Sequence, residues 1–214
     1  MKKILVILLF LFIQNTASAT YIPNYLNSVS NWGIGAIVAP REFSLYESAD
    51  ENSKKVLEVK WAQDGDLLCN GKTCESNPFV AYVPNKNYAI LAVYEEYGEW
   101  AEVYYGKGDK RLFLKLNENT KFYTWGQFML VYGKKHGLYV FKDVKKDKRL
   151  LYAAPDNEAQ VVDNYEIAKF ITPWFVRGNF VMVKLINWDN KQKTGYLRWR
   201  DTDGRLWGFA KLTD

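Results

Sequence analysis

Histidine and cysteine are the scarcest chemistry in this chain. Among 214 residues there is one histidine, His136, and there are two cysteines, Cys69 and Cys74. A catalytic triad needs a base beside its nucleophile, usually a histidine. His136 stands alone in the Gly- and Lys-rich stretch YGKKHGLYV, which is read as an exposed turn. A structural zinc site needs about four ligands, more than two thiols and a distant histidine supply, so no metal is expected. Phosphate loops and dinucleotide fingerprints are absent, and no cofactor is expected. Carboxylates do occur in pairs, at Glu95-Glu96 and at Asp201 and Asp203. The first pair lies in the turn YEEYGEW; the second flanks a hairpin turn, where aspartate serves the backbone. The chain is therefore read as non-enzymatic.

Long apolar runs are also lacking, with one exception. Ile4 to Ile13 is unbroken but only ten residues long, against the roughly 20 needed to span a bilayer. It follows Lys2 and Lys3 and precedes Ala17-Ser18-Ala19, the layout of a secretory signal peptide. The expectation is a signal over residues 1–19, a mature chain from Thr20, no stable membrane insertion after cleavage, and a periplasmic or extracellular location. Thiol pairs outside the cytoplasm are usually oxidised. A redox centre would favour C-x-x-C, whereas CNGKTC spaces its cysteines by four. Asn70-Gly71 suits the tip of a hairpin. Cys69 and Cys74 are read as a disulfide that pinches a turn.

What is plentiful is aromatic. The chain holds 15 Tyr, 12 Phe and 8 Trp, and 48% of it is hydrophobic, which suits β-structure with a substantial core. Net charge is +5, falling to +3 once Lys2 and Lys3 leave with the signal. Lys142, Lys145, Lys146, Lys148 and Arg149 cluster in FKDVKKDKRLLY, interrupted by Asp143 and Asp147, and are read as a solvated linker. Nucleic acid is not an expected partner of an exported chain.

A weak internal repeat runs through the sequence. FSLYESADENSKKVLEV, YGEWAEVYYGKG and RLFLKLNENTKFYTWGQFML recur in order as RLLYAAPDNEAQVVDNY, VRGNFVMVKLIN and TGYLRWRDTDGRLWGFAKL. Leu45-Tyr46 aligns with Leu151-Tyr152, Gly98-Glu99-Trp100 with Gly178-Asn179-Phe180, and Trp125-Gly126 with Trp207-Gly208. Turn-separated β-rich runs such as WAEVYY, FVMVKLI and YLRWR point to short strands, and Asp201-Thr202-Asp203-Gly204 to a hairpin between Trp199 and Trp207. No stripe of helical period is expected.

These pieces resemble the bacterial Src-homology-three domain, in two copies over most of residues 36–214. The opening element is Leu151, Tyr152 and Pro155. The middle strand is Gly98, Trp100 and Val103, and again Gly178, Phe180 and Val183. The closing element is Gly208, Phe209 and Leu212. The resemblance implies an all-β fold of two tandem small β-barrels, 36–142 and 143–214, the first with an insertion at about 55–85 that carries the cysteines. It also implies an exported binding protein for cell-wall peptide or glycan, or for an envelope protein. By residue-for-residue carry-over Trp100 and Phe180 lie near a groove. Trp125, Trp199 and Trp207 complete the expected ligand-binding set. The alternative is an envelope inhibitor or interaction protein that acts through the disulfide-clipped insertion.

Overall fold

The computed structural model describes residues 33–212 apart from 63–65, 76–77, 84–87, 106–108, 142–143 and 167. The expected signal (1–19) and Lys142 and Asp143 of the basic cluster lie outside the described residues. The first half holds β1 (Gly35–Val38), β2 (Glu42–Tyr46), β3 (Lys55–Trp61), β4 (Leu67–Cys69), β5 (Lys72–Thr73) and β6 (Ala81–Val83), followed by β7 (Tyr88–Tyr97), β8 (Trp100–Tyr104), β9 (Arg111–Lys115) and β10 (Phe122–Thr124). They make one antiparallel sheet ordered β10-β1-β7-β8-β9-β2-β3-β4-β5, with β6 paired to β7. Helix α1 (Trp125–His136) follows. The second half holds β11 (Leu138–Val140), β12 (Leu150–Tyr152), β13 (Val161–Asn164), β14 (Ala168–Arg177), β15 (Phe180–Asn187), β16 (Gln192–Arg198) and β17 (Gly208–Ala210). Here the order is β13-β12-β16-β15-β14, and β11 pairs separately with β17. The chain is thus mostly β, as its composition implies. Each path of paired strands is open at its ends among the described residues.

The halves are two copies of one plan. The run β3-β2-β9-β8-β7 in the first sheet has its counterpart in β13-β12-β16-β15-β14, and β1–β10 has its counterpart in β11–β17. Irregularities repeat as well as strands. The pairing of β2 with β3 shifts between Leu45 and Tyr46, and that of β12 with β13 between Leu151 and Tyr152. β7 is bulged between Val93 and Glu95, β14 between Pro173 and Phe175. Two-residue hairpins join β7 to β8 and β14 to β15, opening on Gly98 (φ 62°) and Gly178 (φ 58°). A positive φ at the first turn position is what a type II′ hairpin requires. Of the three sequence matches, the Leu-Tyr and Gly pairs fall on equivalent positions. The Trp-Gly pair does not: Trp125 follows β10, whereas Trp207 precedes β17. β11, numbered inside the expected first unit (36–142), pairs with the last strand of the second. β3, inside the expected insertion (55–85), has a counterpart in β13, so the additional strands are β4, β5 and β6.

The helix corrects the expectation that none would be found. The repeat aligns Trp125-Gly126 with Trp207-Gly208 and so implies a closing strand, whereas Trp125–His136 is helical. Thr124-Trp125-Gly126-Gln127 is a capping box: Gln127 N–H donates to Thr124 Oγ1 (3.2 Å) and Thr124 N–H donates to Gln127 Oε1 (3.0 Å). Such a cap stabilises a helix by about 1 kcal/mol. Trp125, Phe128, Met129, Tyr132 and Gly133 then fall on one helical stripe, and all but the half-buried Tyr132 are buried. His136 is not in a loop but ends this helix, where Lys134, Lys135 and His136 suit the negative end of the dipole. Gly133 permits close approach, since a Cβ there would sit 2.7 Å from both Leu138 Cδ2 and Pro173 Cγ.

Two apolar clusters share the central strands. Ile37, Leu91 and Val93 pack with Leu45, Val59 and Leu114 inside the first half. Ala36, Ile90 and Ala92, on the opposite faces of β1 and β7, join Phe128 and Trp125 of the helix and Leu151, Val183 and Leu197 of the second sheet in one continuous cluster. The halves therefore meet through a common core with the helix between them. Arg200 adds a polar tie, donating from Nη2 to Gly33 O (3.3 Å).

Candidate binding face

Four of the five aromatic residues singled out from sequence are core. Trp125, Phe180, Trp199 and Trp207 are buried, and Trp100 is half-buried. Trp199 Nε1–H donates to Gly178 O (3.1 Å). Trp199 and Trp207 do oppose each other across the expected hairpin, Trp207 N–H donating to Trp199 O (2.8 Å) and Asp201 N–H to Arg205 O (2.7 Å). The carry-over pair Trp100 and Phe180 occupies equivalent places. Tyr46 meets Trp100 edge-on at 5.3 Å and 88°, and Tyr152 meets Phe180 at 5.8 Å and 89°. The expected disulfide is present between Cys69 and Cys74, across a hairpin whose tip, Asn70 (φ 51°) and Gly71 (φ 76°), has the backbone of a type I′ turn. Beside it lies a shallow groove of about 380 Å³, lined by Leu57, Cys69, Asn70, Lys72, Thr73 and Glu75.

The outer faces of the two sheets, built on one plan, differ in how they are finished. In the first half the face carries a polar network, in which Tyr97 is itself 44% exposed. Tyr97 Oη–H donates to Glu95 Oε2 (2.7 Å) and lies 3.4 Å from Glu102 Oε2. The hydrogen bond to Glu95 pushes the phenol up to about 12. Arg111 pairs with Glu102 (3.5 Å) and lies over the ring of the bulge residue Tyr94 (3.9 Å). Each charge has a partner, and the bulge aromatic has an arginine lid.

Register places a different set at the same positions in the second half. Glu95 is replaced by Phe175, Glu102 by Met182, Phe113 by Tyr196 and Arg111 by Thr194. The bulge residue is Trp174. Threonine cannot cover an indole as Arg111 covers Tyr94, and Trp174 is 45% exposed. Phe175, without a carboxylate's partners, is 42% exposed and meets Tyr196 edge-on at 5.9 Å. Arg177, in the place of Tyr97, brings a cation to the rim. The result is an open apolar platform of Trp174, Phe175, Met182 and Tyr196 on an outer edge of the sheet. Sequence reading passed over it, although Pro173-Trp174-Phe175 inside a β-rich run signals an edge strand that carries a bulge.

Among the described residues no group of three His, Cys, Asp or Glu side chains is placed to hold a metal ion, and no helix is long and apolar enough to cross a membrane. In the basic cluster, Lys146 pairs with Glu166 (2.6 Å) and Arg149 Nε–H donates to Val144 O (2.9 Å), so part of it serves the fold. No family model, no curated protein and no solved structure matches the chain.

Proposed function

We propose that this chain is an exported, non-enzymatic binding protein and that the platform on β14–β16 recognises a cell-wall glycan or its peptide. One observation carries the reading. The same surface carries a hydrogen-bonded Glu–Arg–Tyr network in one copy and an exposed Trp-Phe pair in the other. Exposed apolar groups are costly to keep in water, so an aromatic surface laid open where the other copy places paired polar groups points to a ligand. Rings of this kind stack on sugar faces or on extended peptide, and a cation such as Arg177 orients an acidic substituent. In this reading each half is a small barrel of the Src-homology-three kind, which the pairing of first with last strand in both halves supports. Cell-wall binding also fits the amino-terminal Lys-apolar-Ala layout of residues 1–19 and the disulfide.

The test is co-sedimentation of residues 20–214 with purified peptidoglycan sacculi. Trp174→Ala and Phe175→Ala should each weaken retention at least about tenfold, the equivalent of about 1.4 kcal/mol, while Trp100→Ala leaves it within about twofold. Retention that depends on Trp100 and not on Trp174 would move the site to the first half. No retention, with one envelope protein enriched instead, would replace the wall ligand by a protein partner.

A further inference from the structure

The doubled plan also shows what one edge lacks. In the first half, β3 is an inner strand because the disulfide hairpin lies beside it: Val59 pairs with Cys69, Lys60 with Leu68 and Trp61 with Leu67. The hairpin tip saturates the rest of that edge. Glu58 N–H donates to Asn70 Oδ1 (2.8 Å), Asn70 N–H donates to Glu58 O (2.8 Å), and the Asn70 side-chain amide donates to Val56 O (3.4 Å). Among the described residues the second half has no counterpart of that hairpin. Its equivalent strand, β13, ends the sheet among the described residues. Tyr165 N–H donates inward to Arg149 O (3.1 Å). By the alternation of an antiparallel ladder, the N–H and C=O of the preceding residue, Asn164, face outward, the N–H beside the carboxylate of Asp163. They correspond to the groups of Glu58 that Asn70 occupies in the first half.

The edges at β5, β10 and β14 carry protection. β5 is two residues long and holds Lys72. β10 is three residues long and runs directly into the helix. β14 contains Pro173 and a bulge. Short length, lysine, proline and bulges are the means by which proteins prevent strand addition. β13 has no proline, lysine or arginine, and its Val161 and Val162 are 46% and 44% exposed. It shares the bulge of β3, where that bulge has not prevented coverage.

We infer that the open edge of β13 takes up an extended basic peptide by strand addition, the peptide filling the place that the clipped hairpin fills on β3. Charge selects the occupant. Residues 153–166 hold Asp156, Glu158, Asp163 and Glu166 and no lysine or arginine, on a chain whose net charge is +5; Lys193 pairs with Asp163 and Lys146 with Glu166, so Asp156 and Glu158 are the carboxylates left for a cationic peptide. A second copy paired through the same edge would set these carboxylates against each other, whereas alternating valine and lysine would complement both the apolar side chains and the charge. The inference does not depend on the aromatic platform.

The probe is a fluorescein-labelled Lys-Val-Lys-Val-Lys-Val peptide, read by anisotropy against residues 20–214 at low salt. Saturable binding is expected. It should weaken at least tenfold for the Glu-Val counterpart, and as much for a peptide N-methylated at alternate residues on either edge. Asn164→Pro, which removes an outward donor, and Val162→Lys, which keeps the backbone and adds a like charge, should each weaken it tenfold, with Val131→Lys, at an exposed position of the helix, unchanged. Circular dichroism and the melting temperature certify that each variant is folded. Absence of saturation, or equal binding by wild type and folded Val162→Lys, overturns the inference. So does a concentration-dependent dimer in sedimentation velocity that Val162→Lys abolishes, because a second copy would then own the edge.

Discussion

Replacing Phe128 by alanine tests whether the halves are one cooperative body. Phe128 has no exposed surface. Its ring lies 4.6 Å from Tyr132, 6.1 Å from Trp125 and 6.3 Å from Tyr123 on one side of the molecule, and 6.4 Å from Phe209 of β17 on the other. Truncating a buried phenylalanine costs about 3–5 kcal/mol through lost transfer and a residual cavity. With a urea m-value of about 2 kcal/mol/M, a loss of about 4 kcal/mol lowers the midpoint by about 2 M. The assay is urea unfolding followed by tryptophan fluorescence and by far-ultraviolet circular dichroism. A shared core requires the two probes to report one coincident transition in wild type and in Phe128→Ala, displaced by that amount with unchanged slope. Two separate transitions, only one of them displaced, would refute the reasoning and leave two independent units joined by a linker.

Two further outcomes follow from the doubled plan and its charges. Gly98→Ala and Gly178→Ala should each destabilise by about 1 kcal/mol, the penalty of a left-handed backbone, because an added Cβ would meet nothing within 4 Å at either site; melting temperatures that differ between the two variants by the equivalent of more than about 1 kcal/mol would show that the turns are not equivalent. Asp163 is held below its ordinary value of 3.8, chiefly by its hydrogen bond with Lys193. Its stabilising contribution is therefore complete above that value and lost as pH falls through the lower folded one, and Lys193→Met should raise the carboxyl titration seen by NMR and flatten the acid side of the stability profile.

Much of the architecture was legible where local chemistry and global fold agree. CNGKTC formed the hairpin that Asn-Gly dictates, and Asp201–Gly204 formed the turn between Trp199 and Trp207. The Leu-Tyr and Gly-x-aromatic matches marked equivalent strands because they sit at a bulge and at a left-handed turn, positions that restrict residue choice. The helix was missed because the alignment with the second copy outweighed its capping box and the stripe from Trp125 to Gly133. The burial of Trp125, Phe180, Trp199 and Trp207 was not legible because residue type does not reveal which face of a strand is covered, and Trp125 is buried as the first residue of an unexpected helix. Trp174 and Phe175 escaped notice for a related reason. Their exposure depends on Thr194 and Met182, which are distant in sequence and become neighbours only through register.

The central strand β7 has a consequence for what the chain tolerates. A strand with one wet face marks its register by polarity, and a slip by one residue turns apolar groups into water. From Ala89 to Val93 there is no such mark, because both faces are dry and every residue is apolar. Register there is written in side-chain size. A slip one way sends Val93 into the space of Ala92; a slip the other way sends Leu91 there and leaves Ala89 to fill the place of Ile90. Either leaves a site overfilled, at about 1–3 kcal/mol each, and disturbs two cores together. Inserting or deleting a single residue in this run should therefore be far more damaging than exchanging one aliphatic for another, and length, more than identity, is what the strand must conserve.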